Sequence, residues 1–196
     1  MSLKGIKPTE VKTAKPKFML SGKSGTGKSY FALNWPAPYY IDTEKGVTRK
    51  QYVDKLIKSG GVYMGPDEGS QDFKEVTNQL RELATTQHQY KTIVIDSFSK
   101  LYNTEIDLAE GRGISADFGK SKREAKLPSV DLMNWFMKAD MSGLVLCHQK
   151  DKWERKEKEL ILADSVYDGY TKMDYDLDLW LETKLAGKVR YGTVRK

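Results

Sequence analysis

Gly22-Lys23-Ser24-Gly25-Thr26-Gly27-Lys28-Ser29, preceded by the apolar run Phe18-Met19-Leu20, decides how the rest of this chain is read. The stretch fits G-x-x-x-x-G-K-[ST] at every fixed position and sits between an expected strand and an expected helix, where a phosphate-binding loop belongs. Glycines accept positive φ, which lets backbone N–H groups turn inward around a phosphate chain. Lys28 is then placed to reach the β- and γ-phosphates and Ser29 to bind Mg²⁺, while the dipole of the following helix favours the anion.

The 196 residues suit one α/β domain with a single core. The formal net charge of +6 suits a polyanionic partner. Cys147 is the only cysteine, which excludes an intrachain disulfide framework or zinc cluster and agrees with a reducing, cytoplasmic setting. No apolar run approaches the ~20 residues of a membrane span, and the Lys-rich start lacks the apolar stretch of a signal peptide.

Residues 1–17 carry five lysines and two prolines and read as a basic flexible arm, leaving 18–196 as the folded domain. After the loop, Tyr30 to Trp35 continue a helix that Pro36 and Pro38 stop. Tyr39-Tyr40-Ile41-Asp42 reads as a second strand, ending in Asp42-Thr43-Glu44. A glutamate at such a strand end can orient and deprotonate an attacking water, which makes Glu44 the candidate base. Gln51 to Ile57 reads as helix and Val62 to Met64 as a short strand. Phe73, Val76, Leu80 and Leu83 recur at helical spacing behind a cap at Ser70 or Asp72.

Tyr90 to Ser97 has the β-branched composition of a central parallel strand with Asp96 at its carboxyl end, where ligands of a doubly wound sheet gather. Asp96 is accordingly expected to hold Mg²⁺ together with Ser29. A helix over 98–109 is followed by Gly111 to Lys126, read as a flexible basic loop with Arg112, Lys120, Lys122, Arg123 and the aromatic Phe118, a composition able to track a phosphate backbone and stack a base. Leu127 to Ala139 reads as helix and Gly143 to Gln149 as a buried strand. Gln149 is the expected sensor of the γ-phosphate, and His148 is read as a packed or hydrogen-bonded histidine at the edge of the core. Lys152, Trp153, Arg155 and Lys156 lie in a mixed-charge run read either as a solvated hairpin or as a mobile loop for single-stranded nucleic acid. Asp176 to Thr183 and Lys188 to Val194 alternate and read as an antiparallel pair extending the sheet.

The order of P-loop, strand ending Ile41-Asp42-Thr43-Glu44, strand ending Val94-Ile95-Asp96-Ser97 and strand ending His148-Gln149 resembles the RecA family core, from Phe18 to Lys196. The resemblance implies an α/β, RecA-like P-loop NTPase fold: a mainly parallel twisted sheet with flanking helices and a C-terminal antiparallel hairpin. It implies ATP and Mg²⁺ as cofactors, Glu44 as the water-activating residue, Asp96 and Ser97 as the Walker B ending and Gln149 as the sensor. DNA-binding loops are implied at 111–126 and 150–168, and Arg195 and Lys196 occupy the place of residues that reach a neighbouring subunit's nucleotide. The compact size and the loop sequence look most like phage-encoded, core-only RecA-like ATPases of single-strand annealing and recombination. The expected partners are single-stranded DNA, further copies of the chain in a ring or filament, and a single-strand-binding protein. A small-molecule kinase, with Arg112 or Arg123 on a lid, and a nucleotide-dependent module of the helicase-loader type are the alternatives.

Overall fold

The structure, a computed structural model, describes residues 14–156 and 159–196, the side chains of 153–163 excepted. Most of the basic arm and the side chains of Trp153, Arg155 and Lys156 therefore lie outside the described residues.

Six strands run parallel in the order β3 (Val62–Met64), β2 (Pro38–Asp42), β4 (Thr92–Asp96), β5 (Ser142–Lys156), β1 (Lys17–Gly22) and β7 (Leu179–Ala186), and β8 (Val189–Val194) adds antiparallel to β7. The anticipated architecture, terminal hairpin included, is thus the observed one.

Alternation along the central strands sorts their side chains between two core layers. Met19, Ile41, Ile93, Ile95, Val145 and Cys147 face one side. There α3 (Phe73–Thr85), α4 (Phe98–Gly111) and α5 (Lys120–Lys138) supply Val76, Leu80, Leu101, Leu132 and Phe136. Leu20, Tyr40, Val94, Leu144 and Leu146 face the other side, against Ala32 of α1 (Lys28–Ala32), Leu33 just beyond it, and Leu56 of α2 (Lys50–Ser59). Strands buried on both faces need apolar residues at consecutive positions, which accounts for Thr92-Ile93-Val94-Ile95. Pairing Asp42 with Asp96 and Asp96 with Leu146 brings the ends of β2 and β4 level with the middle of β5, beside the loop that follows β1.

Two segments differ from their sequence reading, and a third takes one of its two alternatives. The basic stretch 111–126 is only partly loop: α5 starts at Lys120 after a left-handed Gly119, and Lys120, Lys122 and Arg123 occupy its first turn. Ser121, Ala125, Ser129, Leu132 and Phe136 form one continuous buried stripe at spacings of three and four, and this stripe carries the helix through Pro128. Residues 150–156 of β5 run antiparallel to β6 (Glu159–Tyr167), so of the two readings of this segment the paired-strand one applies. Lys17, assigned to the arm, is the first residue of β1 and 2% exposed, its ammonium donating to the carbonyls of Ala139 and Met141. Burial lowers its pKa to about 8. Asp72, of the two candidate caps, accepts from the amides of Lys74 and Glu75, while the Ser70 hydroxyl donates to the Asp42 carbonyl.

Gly143 lets β5 pass under Phe136 and Lys17. A Cβ there would lie 2.3 Å from Phe136 Cζ and 2.7 Å from Lys17 Cδ. Gly143→Ala is expected to cost roughly 1–3 kcal/mol, read as a lower urea midpoint with an unchanged slope.

Candidate nucleotide site

The loop between β1 and α1 owes its shape to Gly22, Gly25 and Gly27, at φ 156°, 77° and 101°. A Cβ on Gly22 would sit 2.3 Å from Thr183 Oγ1 and 2.6 Å from the Thr183 carbonyl oxygen, so β7 approaches the loop too closely for any larger residue. Thr26 closes the loop by donating to the Lys23 carbonyl at 2.8 Å, and its hydroxyl shares a 2.8 Å hydrogen bond with that of Thr183. Helix α1 has five residues, so the loop's own amides contribute more to anion binding than a helix dipole does.

The Lys28 ammonium donates to the carbonyls of Gly22 at 2.7 Å and Lys23 at 3.1 Å, bridging the loop. The residue is 8% exposed, and burial lowers its pKa against the opposing pull of Asp96 and Glu44. A buried ammonium held only by carbonyls gains strongly from a polyanion. Loop and lysine together therefore fit the phosphates of a nucleotide.

The Ser29 hydroxyl donates to Asp96 Oδ2 at 2.6 Å, and the Tyr40 hydroxyl donates to the same oxygen. Burial raises the Asp96 pKa while these two hydroxyls hold it down, and burial likewise raises that of Tyr40. A serine oxygen and a carboxylate in contact are hard oxygen donors of the kind Mg²⁺ takes beside phosphate and water. No group of three or more His, Cys, Asp or Glu able to hold a metal occurs among the described residues.

The two acidic residues after β2 have separate work. Asp42 is 1% exposed and accepts from the amides of Glu44, Gly46 and Val47, which shapes the loop. Thr43 ties that loop to β4, its amide donating to the Asp96 carbonyl and its hydroxyl accepting from the Ser97 amide. Glu44 is thereby carried to the pocket, where its Oε1 accepts from Ser97 Oγ at 2.6 Å and pairs with His148 Nε2 at 2.8 Å. The His148 contact, helped by Ser97, lowers the Glu44 pKa to about 2 against the effect of burial; reciprocally, Glu44 raises that of His148. Ser97 also caps α4, accepting from the Lys100 amide.

These groups surround one pocket of about 1080 Å³, lined by residues 24–29, Glu44, Asp96 and His148, by Tyr30, Phe31 and Tyr52 on one flank, and by Thr183, Arg190 and Tyr191 on the other. Of the expected site residues, the structure brings Lys28, Ser29, Glu44 and Asp96 together. Gln149 lies elsewhere: its amide donates to Glu182 Oε1 at 2.6 Å, in a groove beside the outer face of the loop. Its neighbour His148 faces the pocket instead. Leu144, Leu146 and His148 share one parity of β5, and the first two pack in the α1 layer. That parity is the signal that would have selected His148.

Arg195 is bound within the chain to Asp164 and Glu182, and Lys196 donates to the carbonyls of Asp174 and Leu177. Arg190 lies over the loop, and the terminal alternation alone could not single it out. The exposed Lys120, Lys122 and Arg123 follow the fully exposed Phe118 (102%) and do not line this pocket; Arg112 pairs with Glu105, and Lys152 is exposed on β5.

The fold and this loop define a RecA-like P-loop nucleotide-binding ATPase domain. A family model described as AAA domain (AAA_24) matches residues 14–185, and the chain belongs to that family. Among solved structures, the crystal structure of the RadB recombinase is similar in fold, with a TM-score of 0.62 at 17% identity over 93% of this chain and 82% of that one. No curated protein matches the chain.

Two outcomes follow from the geometry. His148 has its pKa raised in the folded state above the ordinary 6.5. The stability it contributes is therefore complete below 6.5 and lost as pH rises through the higher folded value. The thermal midpoint of His148→Gln should fall below that of the parent in mild acid and converge with it in alkali. Tyr40→Phe removes one of the two hydroxyls on Asp96, so the Mg²⁺ concentration for half-maximal nucleotide hydrolysis should rise roughly tenfold.

Proposed function

We propose that this protein hydrolyses Mg²⁺-ATP and couples the reaction to single-stranded DNA, in recombination or annealing of the phage-encoded, core-only RecA-like type. One observation supports this reading above the others: Ser97 joins the candidate base to a helix that leads to the basic segment. Its hydroxyl donates to Glu44 and caps α4, and α4 runs 14 residues, about 21 Å, to the segment carrying Phe118, Lys120, Lys122 and Arg123. Those three cations are exposed, and Phe118 offers an open ring for a base to stack on.

In the proposed reaction Glu44 accepts a proton from water as the water oxygen bonds to the γ-phosphorus. The bond from that phosphorus to the β,γ-bridging oxygen breaks, leaving ADP and inorganic phosphate. Lys28 and the loop amides stabilise the charge that develops on the phosphates. Ser29 and Asp96 would hold Mg²⁺, which supplies further neutralisation of the phosphate oxygens. While His148 and Ser97 hold it, Glu44 is a weak base, with a pKa of about 2. Loosening the His148 contact raises its basicity, and a shift of α4 transmitted through Ser97 gives DNA a route to that step.

The test is phosphate release from Mg²⁺-ATP with and without single-stranded DNA. Strong stimulation by DNA is expected; background release in both conditions would contradict the proposal. Phe118→Ala combined with Lys122→Glu should cut the stimulation at least roughly tenfold and leave the DNA-free rate as it was, and an unchanged stimulation would remove this segment from the account.

A further inference from the structure

The C-terminal hairpin places a cation over the loop of its own chain. In β8, Arg190 is opposite Leu185 of β7, and β7 lies beside β1 with Thr183 next to Gly22. Thr183 Oγ1 lies 3.0 Å from the Ser21 carbonyl and 2.8 Å from the Thr26 hydroxyl and donates to one of them, which fastens the hairpin to the loop. From this anchored hairpin the Arg190 side chain reaches across Gly27: a Cβ built there would lie 3.0 Å from Arg190 Cδ and 3.4 Å from its Nε. Two other cations of the terminal strands are engaged with carboxylates, Arg195 with Asp164 and Glu182, and Lys184 with Glu182. The Arg190 side chain has no hydrogen bond or ion pair among the described residues.

We infer that Arg190 binds the nucleotide in cis, its guanidinium resting on the α- and β-phosphates opposite the loop amides. The loop glycines before the lysine are the part of a P-loop that cradles those phosphates, whereas the lysine reaches the β and γ positions. A guanidinium with no carboxylate partner among the described residues, close to this cradle, matches phosphate oxygens in charge and fork geometry. Its contribution is to hold the diphosphate that ATP and ADP share, and each chain supplies it to itself. That differs from the expectation placed on Arg195 and Lys196, which would have served a neighbouring subunit. The inference rests on the nucleotide reading of the site but not on any action on DNA.

The probe is ADP, which carries both phosphates and is not turned over. Titration of the full chain with ADP should show Arg190→Ala binding roughly tenfold more weakly than the parent and Arg190→Lys recovering part of the loss, because a lysine restores charge without the fork. The thermal midpoint of Arg190→Ala without nucleotide should match the parent, since the side chain has no hydrogen-bond or ion-pair partner among the described residues. Equal ADP affinity for the parent and Arg190→Ala would overturn the inference and leave the nucleotide site standing. Failure of the parent itself to bind ADP would overturn both. Mixing Arg190→Ala with Lys28→Ala separates cis from trans: a mixture that hydrolyses ATP at the average of its two components supports the cis arrangement. A mixture well above that average would mean that one chain's arginine serves another's loop, and would overturn it.

Discussion

The carboxylate of Asp96 ends the central strand in a place where burial disfavours its charge, and the site is arranged around meeting that demand. Two hydroxyls do so, Ser29 from the first turn after the phosphate loop and Tyr40 from the adjacent strand. Each comes from a different element, so Asp96 fixes the spacing of β2, β4 and α1. A carboxylate satisfied by neutral donors keeps its charge available for a cation, which one sealed in a salt bridge would not. Lys28 shows the same economy with opposite sign, its ammonium spanning two loop carbonyls close to Asp96 and Glu44.

Around this pair the sheet edge supplies a second acid whose environment is opposite. Asp96 is pushed up by burial, while Glu44 is pulled down to about 2 by His148 and Ser97. Two carboxylates driven apart in pKa at one strand edge are suited to different duties, one holding a cation and the other handling a proton. The basicity of Glu44 is adjustable through its contacts, and one of them, Ser97, is also the cap of α4. Events along that helix and the strength of the base share a single hydroxyl.

Much of this could be read before any coordinates. Glycine spacing in the loop, the aromatic run ending in Asp42 and the β-branched run ending in Asp96 encode local geometry and stand where they were expected, while the first strand of the terminal pair starts three residues later than its alternation suggested, at Leu179. Readings that depended on which way one residue of a neighbouring pair points were less secure. Gln149 and His148 are adjacent, and only the parity of β5 against α1 turns the histidine toward Glu44. The start of α5 was hidden because Pro128 reads as a boundary, whereas the buried stripe from Ser121 to Phe136 carries the helix through it. Arg190 was illegible for a different reason: its position over Gly27 depends on Thr183, far along the chain, lying against Gly22 and Thr26.

The central claim is that Glu44 prepares water while the loop and Asp96 hold the nucleotide. Its most direct measurement is a paired one on Glu44→Gln, comparing ATP affinity and single-turnover hydrolysis with the parent. Unchanged affinity is expected, with hydrolysis reduced by roughly 10²-fold or more, the scale of a lost general base. Hydrolysis at the parental rate in the glutamine variant would contradict it.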